Sequence, residues 1–297
     1  MILDFGSVKL IDLPQKMRGF RNFISSWVLQ EGNKALLVDV GPASTIPLLE
    51  ESLKKLGVEK VEYVLITHIH IDHAGGLGDF LAIHPEAKVV VSEKGKKHLI
   101  NPEALWKGSL KVLGKIAENY GEIKPVKESF FTNKVDFAGY DVEIVETPGH
   151  APHHVSFVVD DFLFLGEACG VHQPLEEDYY MRPATPPKFF LDVYLESIEK
   201  LKGFGRKKAM FGHFGMRENS EEVLKEAENQ IKLWTEVVEE MFGKEKEEIK
   251  EELLKRDERF SRYQKLDDDV KEREDIFISN AIEGISGYIA EKRGEKS

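Results

Sequence analysis

The chain has 297 residues, with 41 Lys and Arg against 53 Asp and Glu and a formal charge of −12. Hydrophobic residues at 41% supply a core and exclude wholesale disorder, and no run approaches the roughly 20 apolar residues that cross a bilayer. The single cysteine, Cys169, excludes an intramolecular disulfide and a Cys-rich zinc knuckle, so any metal site must be built mainly from His and carboxylates. Basic residues cluster only briefly, at Lys94, Lys96 and Lys97 or at Arg206, Lys207 and Lys208. That argues against nucleic acid as a partner, because displacing phosphate counterions takes a concentrated basic face. The first residues carry acids rather than a basic segment ahead of an apolar run, so a soluble, cytoplasmic protein is expected. A Lys/Glu-rich composition with few Asn and Gln fits a thermophilic surface.

In chain order, residues 24–29 and 34–38 read as two strands joined by the turn Glu31-Gly32-Asn33. Residues 46–56 have helical spacing, with Gly57 as a stop. Residues 61–67 read as a buried strand that ends on a histidine cluster, and further strands are expected at 88–91, 142–146, 155–159, 162–165 and 208–211. Residues 171–188 contain four prolines and read as a loop. From Ser220 to about Ala290 the pattern becomes long and helical, with breaks expected at Gly243 and near Asp267. The charge divides along the same line. Residues 1–218 hold 26 bases and 30 acids, and residues 219–297 hold 15 and 23. The expected organisation is a mixed α/β domain at 1–218 followed by an acidic helical extension at 219–297.

The strongest chemistry lies in Thr67–Gly76, THIHIDHAGG, where His68, His70, Asp72 and His73 follow a strand within six residues. A turn there can aim several of them into one pocket. Neutral imidazole and carboxylate oxygen suit zinc, and equally iron or manganese. Gly75 and Gly76 allow a close backbone turn beneath the cluster.

In their order along the chain, these and four other segments resemble the motifs of the metallo-β-lactamase superfamily. An aspartate after an apolar strand stands at Asp39 in LLVDVG, and the His-x-His-x-Asp-His hallmark at His68, His70, Asp72 and His73. Thr-Pro-Gly-His occurs at Thr147–His150, and a late strand ends on His213 in MFGHFG. The usual Gly-Asp is Gly166-Glu167 here. The resemblance implies an αββα four-layer sandwich with a dinuclear metal centre at one edge, plus the C-terminal helical extension. It implies that His68, His70 and His150 hold one divalent ion, that Asp72, His73 and His213 hold a second, and that Glu167 stands where a bridging carboxylate would be. Asp72 and His70 are assigned to catalysis as well. A hydroxide between the metals, most simply zincs, would be the nucleophile, since a bound metal lowers the pKa of water toward about 7.

Glutamate is one methylene longer than aspartate, which leaves three outcomes open for Glu167: bridging, binding one metal, or swinging away to leave a mononuclear centre. Cys169 is expected to be a buried structural residue, with thiolate ligation as the other option. Asp39 is read as orienting a ligand histidine or the motif backbone, with a strand-end turn former ahead of Gly41-Pro42 as the alternative, and His154 as a structural hydrogen-bonding residue. His153, His172, Tyr179, Tyr180 and Arg182 are candidates for contact with a small-molecule substrate. His84, at a helix end, and His98, on a helix, are expected to serve the surface or core packing.

The tail shows two apolar stripes, one through Trp234, Val237, Val238, Met241 and Phe242 and one through Ile278, Ile282, Ile285 and Ile289. Packing over the body or a homodimer contact is expected ahead of substrate binding. A helical segment of similar size occurs in the glyoxalase II branch of the superfamily, so a thioesterase is one option. The function expected is hydrolysis of a small ester, thioester or lactone. The alternatives are a mononuclear iron persulfide dioxygenase and a metal-stabilised binding protein without turnover.

Overall fold

The computed structural model describes residues 1–294. Six strands form the first sheet in sequence order: β1 (Ile2–Phe5), β2 (Val8–Asp12), β3 (Ser25–Glu31), β4 (Lys34–Val38), β5 (Lys60–Leu65) and β6 (Lys88–Val90). The pairs β1–β2, β2–β3 and β3–β4 are antiparallel, and β4–β5 and β5–β6 are parallel. The second sheet takes β7 (Val142–Glu146), β8 (Val155–Val159) and β9 (Phe162–Gly166). Past the separate hairpin of β10 (Val171–Pro174) and β11 (Tyr179–Arg182), it adds β12 (Lys208–Phe211) parallel to β9, and β13 (Met216–Arg217) at its edge.

Helices cover the outer faces. On the first sheet lie α1 (Ile46–Lys55), α2 (Ile71–Ala74), α3 (Leu77–Ile83), α4 (Glu93–Ile100), α5 (Glu103–Leu113) and α6 (Lys115–Tyr120). On the second lie α7 (Leu191–Lys202), α8 (Ser220–Glu240), α9 (Lys246–Arg256), α10 (Glu258–Ser261) and α11 (Asp268–Lys292). The layering follows from the two-residue period of a strand, which sends successive side chains to opposite faces. In β4, Leu36 and Val38 join the cluster between the sheets, while Ala35 and Leu37 meet the helices of the first sheet. In β9, Phe162 and Phe164 face between the sheets, and Leu163 and Leu165 pack under the helices of the second. Strands buried on both faces read as near-continuous apolar runs, and for that reason the central ones stand out in the sequence.

Residues 171–188 differ from the expected loop, since they contain the β10–β11 hairpin with Val171 opposite Arg182 and Pro174 opposite Tyr179. Its prolines do not break it: Pro174 ends one strand, and Pro183, Pro186 and Pro187 follow the other. β1 and β2, which the sequence pattern did not reveal, are turned back on each other at Gly6, whose φ of 87° suits glycine. Both tail stripes are used inside the chain. Trp234, Val237, Val238, Ile278, Ile282, Ile285 and Ile289 are buried in the same cluster as the outer face of the second sheet, with Met241 and Phe242 against it. These residues therefore serve intrachain packing rather than standing free for a second copy.

Candidate metal centre

Four strand ends and one turn bring the candidate ligands together. Asp39 follows β4, the His68–His73 segment follows β5 and opens α2, Glu167 follows β9, His213 follows β12, and His150 lies in the turn between β7 and β8. His68, His70, His150 and Glu167 offer one ligand atom each within 4.8 Å of one another, and Asp72, His73 and His213 form a second such group. Glu167 touches both. Its Oε2 lies 3.2 Å from His68 Nε2, 3.0 Å from His150 Nε2 and 3.7 Å from His73 Nε2, and its Oε1 lies 3.1 Å from His213 Nε2. The extra methylene of glutamate is absorbed without the carboxylate swinging away. Asp72 Oδ2 is 3.8 Å from His73 Nε2 and 3.9 Å from His213 Nε2.

The hydrogen bonds behind the imidazoles fix their tautomers. Asp39 sits at φ 58°, a strained setting for a side-chain-bearing residue, and accepts from the Thr67 amide at 2.8 Å and the Thr67 hydroxyl at 2.7 Å. The Thr67 hydroxyl proton is thus committed to Asp39, so Thr67 Oγ1 accepts from His68 Nδ1 at 3.0 Å. His73 Nδ1 donates to Asp39 at 2.9 Å, and His150 Nδ1 donates to the Ala184 carbonyl at 3.0 Å. Each of the three rings therefore carries its proton on Nδ1 and turns Nε2 toward the cluster. His68 Nε2 and His73 Nε2 are buried without a hydrogen-bond partner. Unpartnered buried nitrogens that converge with carboxylates fit divalent ions.

Electrostatics agree with that fit. Burial drives His68 well below the ordinary histidine range, helped by the neighbouring imidazoles, and burial with His150 brings His70 down to about 4. Burial opposes charge on His73 and His150 too, but Asp72 and Asp39 hold the first well above its ordinary value and Glu167 raises the second. Burial likewise opposes ionisation of Glu167, yet His150 and His213 hold its carboxyl well below the usual range. The carboxylates thus demand positive charge, which either histidine protons or bound cations satisfy.

Behind Glu167, the buried His154 accepts from the Glu167 amide at 2.9 Å through Nε2, so its Nδ1 proton goes to Thr147 Oγ1 at 2.8 Å. Gly166, at φ 57°, lies against His154, and a Cβ there would collide with the ring. Cys169 is buried and apart from both ligand groups, with burial pushing its thiol up.

A cavity of about 550 Å³ opens on the cluster, lined by His70, Asp72, His150, Glu167 and His213. Of the substrate candidates, His153 and Arg182 line it, whereas His172, Tyr179 and Tyr180 do not. His172 is stacked on Tyr179 and Phe211 and bonds the Phe214 carbonyl. The Tyr179 hydroxyl donates to Glu226, and Tyr180 donates to Glu274 at 2.9 Å. Arg182 lines the cavity but its Nε is bound to Glu274 at 2.5 Å. His98 also lines the cavity, while His84 pairs with Glu50 at 2.9 Å.

Several cavity residues carry no sequence signal. Phe23 stacks on His213 with ring centroids 4.2 Å apart, and the Arg273 guanidinium of α11 lies over the Phe23 ring, 4.0 Å from its centroid. Phe277 and Asn280 of α11 form part of the wall, and Tyr120 adds a buried hydroxyl with no hydrogen-bond partner. Only the tail's spacing hinted at α11, and it pointed to the stripe that faces away from the cavity.

Comparison with known proteins gives one family. The model of the metallo-beta-lactamase superfamily matches residues 19–213. A metallo-beta-lactamase fold-containing protein of Sulfurisphaera tokodaii is 34% identical over 189 residues, covering 59% of this chain and 70% of that protein. A hydroxyacylglutathione hydrolase of Cupriavidus taiwanensis is 29% identical over 143 residues, covering 48% of this chain and 44% of its own length. Among solved structures, an archaeal metallo-beta-lactamase superfamily protein from Sulfolobus tokodaii superposes with a TM-score of 0.68 at 25% identity, over 93% of this chain and 97% of that one.

Proposed function

Because the chain belongs to the metallo-β-lactamase superfamily, we propose that it is a metal-dependent hydrolase of a small ester, thioester or lactone, working with two divalent ions, zinc foremost. One observation supports this most. The Glu167 carboxylate lies 3.0–3.2 Å from three imidazole Nε2 atoms that belong to two different ligand groups. His68, His70, His150 and Glu167 would hold one ion, and Asp72, His73, His213 and Glu167 the other. Ions bound there would lower the pKa of water and polarise a carbonyl oxygen.

The chain's own residues prepare that chemistry. Asp39 keeps the His73 proton on Nδ1 and, through Thr67, does the same for His68. His154 fixes the backbone that presents Glu167. Tyr120 gives the cavity an unpaired hydroxyl donor, suited to an oxygen that gains negative charge. The resemblance to hydroxyacylglutathione hydrolases makes a thioester one reasonable substrate.

Metal analysis of protein purified without added metal, followed by turnover of ester, thioester, lactone and persulfide substrates, tests this reading. Two zinc equivalents, with turnover abolished in His150→Ala, are expected. One iron per chain with oxygen consumption on a persulfide would replace the proposal with a dioxygenase, and metal without turnover would leave a binding protein.

A further inference from the structure

Helix α5 is amphipathic, yet none of its residues is buried. Ala104, Leu105, Gly108, Ser109, Val112 and Leu113 recur at the spacing of one helical face, and all six line the cavity that opens on the metal centre. Val112 remains 62% exposed, although large apolar side chains on a helix stripe ordinarily face a core. The lining also includes Phe277 and Ala281 of α11, and Phe23, which stacks on the candidate ligand His213. Leu105 and Leu113 also pack against the core of the first sheet, but Ala104, Gly108 and Val112 are exposed along a cavity that leads to reactive groups, an arrangement that an apolar ligand completes.

Charge narrows the ligand further. Among the described residues lining the cavity, Arg182 is bound to Glu274, and Lys188 stands exposed. A substrate carrying several carboxylates or phosphates has few partners there. From Leu105 to Leu113 the stripe rises about 12 Å along the helix, the length of an extended chain of roughly eight to ten carbons.

Resting on the hydrolase reading above, we infer that this cavity is an acyl pocket and that the substrate is an ester, thioester or lactone of a medium-chain apolar acid. Gly108 lines the pocket, and a side chain placed there would narrow it. Glycine inside a helix weakens it relative to alanine, and a Cβ built at Gly108 meets no other atom within 4 Å. A larger residue is therefore free to enter the cavity without disturbing the fold.

The test uses the metal-loaded protein and 4-nitrophenyl esters from acetate to decanoate, with calorimetric binding of decanamide, a neutral probe, as an independent readout. In the wild type, kcat/KM should rise roughly two- to fourfold per methylene up to about eight carbons, following the transfer free energy of a buried CH₂. Gly108→Leu should cost the decanoyl ester at least about tenfold more than the acetyl ester and weaken decanamide binding, whereas Gly108→Ala should change the chain-length profile far less. Ester turnover with a flat chain-length profile and no decanamide binding would overturn the acyl pocket while leaving the hydrolase reading intact. Decanamide binding that Gly108→Leu weakens, without turnover of any ester, would uphold the pocket and sink the hydrolase.

Discussion

Two buried charged clusters flank the same cavity, and they are built on opposite rules. In the metal centre His68 and His73 are hydrogen-bonded behind through Nδ1, but their facing Nε2 atoms have no hydrogen-bond partner. In the neighbouring cluster Arg182, Arg273 and Tyr180 surround Glu274, at 2.5 Å from Arg182 Nε, 3.0 Å from Arg273 Nη2 and 2.9 Å from the Tyr180 hydroxyl. Arg273 also donates to the Gly19 carbonyl at 2.8 Å. None of these four side chains has a buried polar atom left unpaired among the described residues. Satisfied charge holds α11 against the loop at 13–22, whereas unsatisfied charge waits for a ligand. Burial alone does not separate these two clusters, whereas the state of their hydrogen bonds does.

Removing a member of the unsatisfied cluster should act on function first. Glu167→Ala takes away the carboxylate common to both ligand groups, and turnover should fall at least roughly 10³-fold, as expected when groups act as a unit. Zinc content by atomic emission should fall with it. The same cluster should exchange protons for metal. His73 and His150 are held above their ordinary values by carboxylates, so near neutral pH zinc binding should release roughly one to two protons and tighten as pH rises. Calorimetry in buffers of different ionisation enthalpy reads this directly, and zinc binding without proton release would contradict the electrostatic account.

The satisfied cluster should answer in stability instead. Glu274→Gln leaves two buried guanidinium groups without their counter-charge and should cost about 3–5 kcal/mol in urea unfolding at pH 7. Burial opposes ionisation of Glu274, but Arg182 and Arg273 bring its pKa from 4.5 to about 2. A depressed carboxylate pKa stabilises the fold above the unfolded value and loses that contribution as pH falls. About 3 kcal/mol should therefore be present above pH 4.5 and vanish toward pH 2, so that wild type and variant converge in acid. An unchanged gap between them at low pH would show that the charge of Glu274 is not the source.

Asp39→Asn probes the support behind the ligands at smaller cost. Asparagine tolerates the left-handed backbone at this position, so the substitution removes charge with little added strain. Metal affinity should drop roughly 10- to 100-fold while the thermal midpoint of the metal-free protein changes little. A large loss of stability would assign Asp39 to the strand-end turn rather than to the histidines.

The comparison also explains what could be read in advance. Ligands that follow strand ends, as His68, Glu167 and His213 do, are written as residue types at fixed places, and the central strands as apolar runs buried on both faces. The second cluster leaves no such trace. Arg273 reaches the Gly19 carbonyl across more than 250 positions of chain, and nothing local to either residue announces it. The loop composition at 171–188 concealed a hairpin, because proline marks an end of a strand as readily as its absence. The stripe on α5 is legible as amphipathic, but only the fold reveals that it lines a cavity as well as packing on the core.

Tyr120 offers the smallest and most discriminating test, because it belongs to the unsatisfied class without being a metal ligand. Its ring is buried, its hydroxyl has no partner, and burial pushes its pKa well above the ordinary value. A structural hydroxyl left in that state costs stability, so Tyr120→Phe should leave the fold unchanged or stabilise it by up to about 1 kcal/mol. A hydroxyl that donates to the reacting carbonyl should instead show itself in kinetics, as roughly a tenfold fall in kcat with KM nearly constant. Both results together would place Tyr120 with the metal centre. A stability loss like that of Glu274→Gln, with kcat unchanged, would move it to the structural side, alongside the unpaired His172 Nε2 and Gln230 Oε1 that lie away from the cavity.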